Sequence, residues 1–139
     1  MMKPMFEIFK EVKKAKSLKK KVEVLRQNDS PTLREFCAYC VNPHINFLLP
    51  EGDPPFDKLE GDEAIDCEEV LHANVSKLYL YVEGGNPNLN QIKREGLFID
   101  LLETIHPEDA ELLLRLKDKK VKELSEKLVN EAYPGFLSY

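Results

Sequence analysis

The sequence predicts an all-α protein, a compact orthogonal bundle of six to seven short helices with one long proline-rich loop. Apolar residues recur every three to four positions along most of the chain, which is the period of an amphipathic helix. Four prolines and two glycines are concentrated in residues 43–61, where they exclude a continuous helix. The 139 residues suffice for one hydrophobic core. We therefore expect a single helical domain over residues 1–139, with basic N-terminal helices (1–28), this proline-rich acidic loop (43–61) and a helical body (62–139).

Three helix patterns precede the loop. Ser17 and Ser30 are typical N-cap residues and are expected to begin the second and third helices. Pro31 suits the first position of a helix, because its missing N–H removes no helical hydrogen bond there. The third helix is expected to end at Asn42. The apolar stripe of the first helix, which we expect to be buried together with Phe6, consists of Met5, Ile8, Phe9 and Val12.

Four more patterns follow the loop, over residues 62 or 63 to 82, about 89–105, 107–120 and 121–132. His106 is expected to act as a cap or a linker before Pro107. No glycine or proline occurs between residues 108 and 133, which leaves open whether the last two patterns form one bent helix. Residues 77–82 alternate like a strand, but the sequence offers no second strand to pair with them.

Charge is segregated along the sequence. Residues 1–21 carry +6 and residues 51–69 carry −8, within a net charge of −5. The simplest expectation is that these two segments pair with each other. Alternatively, the lysines of the N-terminal arm bind nucleic acid by neutralising its phosphates, which requires an uncovered positive face.

Two groups of residues have the composition of a metal site. The members of a zinc set would be Cys37, Cys40, His44, Cys67 and His72. Cys37 and Cys40 lie three residues apart in an apolar helical stripe rather than in a knuckle turn, which favours core packing. Glu69 and His72 have the spacing of a helical di-iron element, but such sites need that element twice and it occurs once. We expect no metal and no cofactor.

No motif with a known catalytic mechanism is present. There is no G-x-S-x-G elbow, and no histidine has the serine or cysteine context that is typical of acyl transfer. The string Gly84-Gly85-Asn86 lacks the G-K-[ST] of a phosphate-binding loop. No apolar run reaches the roughly 18 residues of a membrane span. Three cysteines without an apolar leader favour a reducing compartment. We therefore expect neither an enzyme nor a membrane protein.

Five strings carry a resemblance to a known family: MFEIFKEVKKAK, LLPEGDPPF, VEGGNPNLNQIKRE, IHPEDAELLLRLKDKK and LVNEAYPG, which lie between residues 5 and 135. Through them the whole chain resembles a domain of unknown function found in T-even-type myoviruses, many of marine and cyanobacterial hosts. The resemblance implies a protein of a lytic phage that acts in the cytoplasm of the infected bacterium or is packaged in the virion. It assigns no catalytic or binding residue.

Taken together, these patterns predict a non-enzymatic phage accessory protein that binds a host or phage protein, as an adaptor or an inhibitor. The alternatives are nucleic-acid binding by the basic arm and a virion-associated role. The expected contact surfaces are the first two helices, the part of the loop from Pro50 to Phe56, and the turn and helix start at residues 86–95. Their candidate residues are Lys13, Lys14, Lys20, Glu51, Asp53, Pro54, Pro55, Phe56, Asn86, Asn88, Asn90, Lys93 and Arg94. Since no sustained heptad seam is present, no oligomeric state is predicted.

Overall fold

The computed structural model describes residues 3–65, 67 and 69–137 of the chain. Over these residues its regular elements are helices without strands, which confirms the all-α part of the predicted fold class. The elements are α1 (Met5–Lys14), α2 (Leu18–Gln27), α3 (Pro31–Val41), α4 (Asp62–Ile65), α5 (Val70–Asn74), a 3₁₀ helix (Val75–Tyr81), α6 (Gln91–Thr104), α7 (Pro107–Lys117) and α8 (Glu126–Ala132).

Side-chain caps fix most of the helix starts. Ser17 Oγ accepts a hydrogen bond from the Lys20 amide, and Ser30 Oγ accepts one from the Leu33 amide, so both predicted N-caps are confirmed. His106 caps α7, as predicted, because its Nδ1 accepts from the backbone of the residue two positions on. Two further caps begin α6 and α8 and were not recognised in the sequence; they are Asn90 and Ser125.

Two predicted helices are divided in the structure. The helix predicted to begin at residue 62 or 63 corresponds to three elements in the structure, which are α4, α5 and the 3₁₀ helix. The second break separates α7 from α8, which excludes one bent helix over residues 107–133. Lys119 adopts a φ of 58°, and the amides of Lys119 and Lys120 donate to the carbonyls of Leu116 and Arg115. This is a Schellman motif with lysine in the position that glycine usually occupies.

The core is formed by the apolar faces of α1, α3, α6, α7, α8 and the 3₁₀ helix. α1 packs on α2 and α7, α2 packs on α8, and the 3₁₀ helix packs on α3 and α6. Phe6 and Phe9 are buried, as predicted, and Phe9 meets Phe36 edge to face with a centroid distance of 5.4 Å. The end of the described chain returns to α2, because the Tyr133 hydroxyl donates to the Leu25 carbonyl at 2.6 Å.

Residues 42–61 contain no helix and cross the surface between α3 and α4. Phe47 forms one antiparallel bridge with Val82, and the Leu48 amide donates to the Tyr81 carbonyl at 2.8 Å. The alternating segment 77–82 forms no strand, as expected from the sequence, and its last residue makes an isolated bridge. The apolar residues of this crossing pack partly buried against the core; they are Ile45, Phe47, Leu49 and Phe56.

Candidate partner-binding surfaces

The fold brings two of the predicted contact segments together on one face. Gln91, the first residue of α6, donates through Nε2 to the Leu48 carbonyl at 2.7 Å. Lys117 Nζ donates to the Pro50 carbonyl at 2.9 Å and so fastens the following residues to the end of α7. A cleft of about 240 Å³ separates residues 49–55 from Glu95, Phe98 and Ile99 of α6. We call residues 49–55 together with the outer side of α6 at Ile92, Glu95 and Ile99 the loop–α6 face.

The candidate residues of the loop differ in exposure. Glu51, Asp53 and Pro55 are exposed, whereas Pro54 and Phe56 are half-buried. Glu51 lies 3.8 Å from Lys120 Nζ in a solvent-exposed ion pair, and such pairs contribute about 0–1 kcal/mol. The exposed part of the loop is therefore held by its backbone contacts rather than by its charges.

The asparagines of the second segment have structural roles. Asn86 Oδ1 accepts from the Asn88 amide and builds the turn that was predicted at Asn86-Pro87-Asn88. Asn90 Oδ1 accepts from the Lys93 amide and caps α6. Asn88, Asn90 and Lys93 are exposed, so these side chains border the loop–α6 face.

Arg94 has to be removed from the predicted contact residues. Its side chain is buried, and its guanidinium donates to the Leu80 carbonyl, the Leu89 carbonyl and Gln91 Oε1 at distances between 2.6 and 3.1 Å. These bonds use the fixed fork of the guanidinium to tie α6 to the 3₁₀ helix and to the turn before it. Arg94 positions the face but presents no surface to a partner.

Ile92 is an exposed apolar residue of this segment that was not among the predicted contact residues. Its side chain is 87% exposed in the first turn of α6. Ile92, Glu95 and Ile99 lie three and four positions apart and therefore share one side of the helix. The sequence did contain a signal for this exposed position. Ile92 lies outside the apolar stripe of α6 that faces the core, and that stripe contains Phe98, Leu101 and Leu102.

The basic arm folds into a second surface, the basic corner, which we define as Lys13, Lys14, Lys16, Lys19, Lys20 and Lys21. It comprises the end of α1, the connecting turn and the first turn of α2. Within the described part of the chain, none of the six has an ion-pair partner within 4 Å. The expected pairing between the basic and acidic segments is therefore not observed among those residues, and the corner faces solvent.

The groups that composition suggested as metal ligands are dispersed. Cys37 is fully buried in the core, and burial raises the pKa of its thiol to about 12. Burial also raises the pKa of Cys40, well above its ordinary value. His72 Nε2 lies 2.8 Å from the Lys3 carbonyl oxygen. Over residues 3–65, 67 and 69–137, no three His, Cys, Asp or Glu side chains are grouped so that they could hold a metal ion.

An open groove of about 620 Å³ runs between α1, α7 and the loop. Charges of both signs line it, and Lys10 pairs with Glu108 across it. This mixed lining favours no class of ligand.

No described helix has the length and apolar character that crossing a membrane requires. No curated protein and no solved structure matches the chain. A family model does match, and it covers residues 8–123, from within α1 to the segment between α7 and α8. The chain therefore belongs to the DUF6433 family, a family of unknown function.

Proposed function

We propose that this protein is a non-enzymatic accessory protein of a T-even-type bacteriophage that binds another protein, as an adaptor or an inhibitor, in the cytoplasm of the infected host. The phage origin rests on the resemblance of the five sequence strings to myovirus proteins, which is separate from the family match. A virion-associated role is the alternative that the same resemblance allows.

The loop–α6 face is the observation that carries the proposal. It places Ile92, 87% exposed, on the same side of α6 as Ile99, which lines the cleft beside residues 49–55. An exposed apolar side chain such as that of Ile92 favours a protein partner, because removing its surface from water on docking is favourable.

The backbone of the loop is also restricted before any partner binds. Pro50, Pro54 and Pro55 restrict its backbone, and two tethers hold it, from Lys117 to the Pro50 carbonyl and from Gln91 to the Leu48 carbonyl. A segment that is ordered before it binds loses less conformational entropy in the complex. The loop–α6 face therefore combines apolar contact area with a small loss of conformational entropy of the loop on binding.

The reactive side chains of the chain serve the fold, which supports a role without catalysis. The raised pKa values of Cys37 and Cys40 keep these thiols protonated at neutral pH, and a protonated thiol is a poor nucleophile and metal ligand. His72 is bonded to the backbone of Lys3, ahead of α1.

Affinity capture from infected cells, with nuclease present and mass spectrometry as the readout, tests the proposal. Ile92→Asp and the replacement of Asp53-Pro54-Pro55 by Gly-Ser-Gly should each lower recovery of the specific partner. Loss of one contact residue worth about 2 kcal/mol lowers affinity about 30-fold. Ala73→Asp, an exposed position on α5, adds the same charge elsewhere and should leave recovery unchanged.

Circular dichroism of each variant should show unchanged helicity, because none of these positions lies in the core. Recovery of the same partner at the level of the original chain by both face variants would contradict the proposal. A collapse of helicity in the loop replacement would assign residues 53–55 to the fold, and Ile92→Asp alone would then decide.

A further inference from the structure

The structure extends the basic corner with one lysine that is distant in sequence. A groove of about 270 Å³ lies between residues 15–18 and 21 on one side and residues 122–125 and 128 on the other. Lys16, Lys21 and Lys122 line it. Lys122 therefore joins the six lysines of the corner on one surface.

Two carboxylates near this surface pair with cations outside it. Glu11 pairs with Lys3, and Glu123 pairs with Arg115. Burial raises the pKa of Glu123, but the hydrogen bond from Arg115 and the charges of Arg115 and Lys13 lower it below its ordinary value overall. Arg115 is therefore the main partner of Glu123.

The start of α2 places positive charge where a helix favours negative charge. Its first turn contains Lys19, Lys20 and Lys21 and no acidic residue. The N-terminal end of a helix carries a partial positive charge, so lysines there are unfavourable by several tenths of a kcal/mol each. An anion bound at the corner relieves this repulsion, and the lysines give it several point charges at once.

The composition of the surface distinguishes between anionic partners. The described residues that line its groove include three lysines and no arginine or aromatic ring. Lysine is depleted in the centres of protein–protein interfaces, where arginine and aromatic residues are enriched. Flexible ammonium groups are suited to phosphates, which they neutralise without reading a base sequence.

We propose that the basic corner, together with Lys122, binds the sugar–phosphate backbone of a nucleic acid without sequence preference. In this proposal one phosphate group binds in the groove at Lys16, Lys21 and Lys122. The exposed lysines on both sides of the groove contact the adjacent phosphates of the same strand. The surface is separate from the loop–α6 face, so this inference stands independently of the proposed function.

Fluorescence anisotropy with a labelled 20-base-pair duplex and a labelled 20-nucleotide strand tests the proposal. Binding by the original chain should weaken by about 10²–10³-fold between about 50 and 200 mM salt if about five phosphates are neutralised. The variant Lys16→Gln/Lys20→Gln/Lys122→Gln should bind more weakly, and its salt slope should be smaller by about 0.9 for each lost phosphate contact on duplex DNA.

The matched control is Lys58→Gln/Lys77→Gln/Lys93→Gln, which removes the same charge from exposed lysines outside the corner. It should bind like the original chain, and so should Ile92→Asp. Equal weakening by the control and the corner variant would overturn the proposal, as would the absence of salt-dependent binding to either probe. Competition by polyglutamate as effective as competition by unlabelled DNA would also overturn it, and would assign the corner to an acidic protein.

Discussion

The carboxylate of Asp109 accepts a hydrogen bond from the backbone amide of Phe6 at 2.9 Å, across 103 positions of the sequence. Asp109 is fully buried in the first turn of α7, and Phe6 lies in the first turn of α1. Pro4, the N-cap residue of α1, has no side-chain hydrogen bond to that helix. Asp109 thus supplies from α7 the cap that α1 lacks, and its charge lies near the positive ends of two helices.

Replacing Asp109 by alanine is expected to lower the free energy of unfolding by about 1–3 kcal/mol, because the buried amide of Phe6 loses its acceptor. Asp109→Asn keeps an acceptor oxygen and should cost less. Urea denaturation followed by circular dichroism measures both. Glu111→Ala, at an exposed position of the same helix, is the control and should change the value by no more than about 0.5 kcal/mol. An equal effect of Asp109→Ala and Glu111→Ala would show that this cap is unimportant.

Tyr133→Phe tests how the end of the described chain is fixed to α2. The hydroxyl of Tyr133 bonds to the Leu25 carbonyl, and the Arg34 guanidinium carbon lies 4.5 Å from the centre of the ring. The substitution keeps the ring contact with Arg34 and leaves a buried carbonyl without its donor, so we expect a loss of about 1–2 kcal/mol in urea denaturation. Tyr79→Phe, where the ring is 45% exposed, should have no measurable effect. If the two variants were equally stable, the hydroxyl would contribute nothing.

Local signals in the sequence were sufficient for the starts of α2, α3 and α7 and insufficient for two breaks. The N-caps Ser17 and Ser30 act within three residues, so their effect is visible in the sequence itself. The end of α7 depends on Lys119, which takes a left-handed conformation that favours glycine. Lys119 Nζ donates to the carbonyls of Tyr39 and Asn42 at the end of α3, a contact across about 80 positions that no local pattern shows.

The candidate surfaces were predictable as segments but not as assemblies. Nothing local distinguishes exposed Lys93 from buried Arg94, because the difference depends on carbonyls at residues 80 and 89. The approach of Gln91 to Leu48, which creates the loop–α6 face, joins positions 43 residues apart. Likewise, Lys122 reaches the basic corner only because α2 packs on α8.

Arg94→Ala is therefore expected to destabilise the fold, in contrast to Lys93→Ala. Arg94→Ala leaves the carbonyls of Leu80 and Leu89 without their donor, so we expect a loss of about 2–4 kcal/mol. Arg94→Lys should recover only part of it, because one ammonium group replaces a planar fork of donors. Lys93→Ala should stay within about 0.5 kcal/mol. Thermal denaturation of the three variants measures the difference, and similar midpoints for Arg94→Ala and Lys93→Ala would contradict the structural role of Arg94.

Alkaline pH is expected to destabilise the protein through buried acidic groups that stay protonated in the fold. Burial raises the pKa of Cys37 from 9.0 to about 12, and burial with the nearby charge of Asp100 raises that of Tyr81 from 10.0 to about 12. Above pH 9 the unfolded chain releases these protons while the folded chain retains them, so unfolding becomes more favourable as pH rises. Their contribution is fully present below pH 9 and is lost between about pH 9 and 12.

Urea midpoints at about pH 7.5, 9.0 and 10.5 measure this dependence. We expect little change between the first two values and a clear fall between the last two. Cys37→Ala and Tyr81→Phe each remove one of the titrating groups, so each should show a shallower fall with pH, whatever its stability at neutral pH. Because the comparison is between slopes, the cavity left by Cys37→Ala does not affect it. An unchanged slope in both variants would mean that other groups cause the alkaline loss.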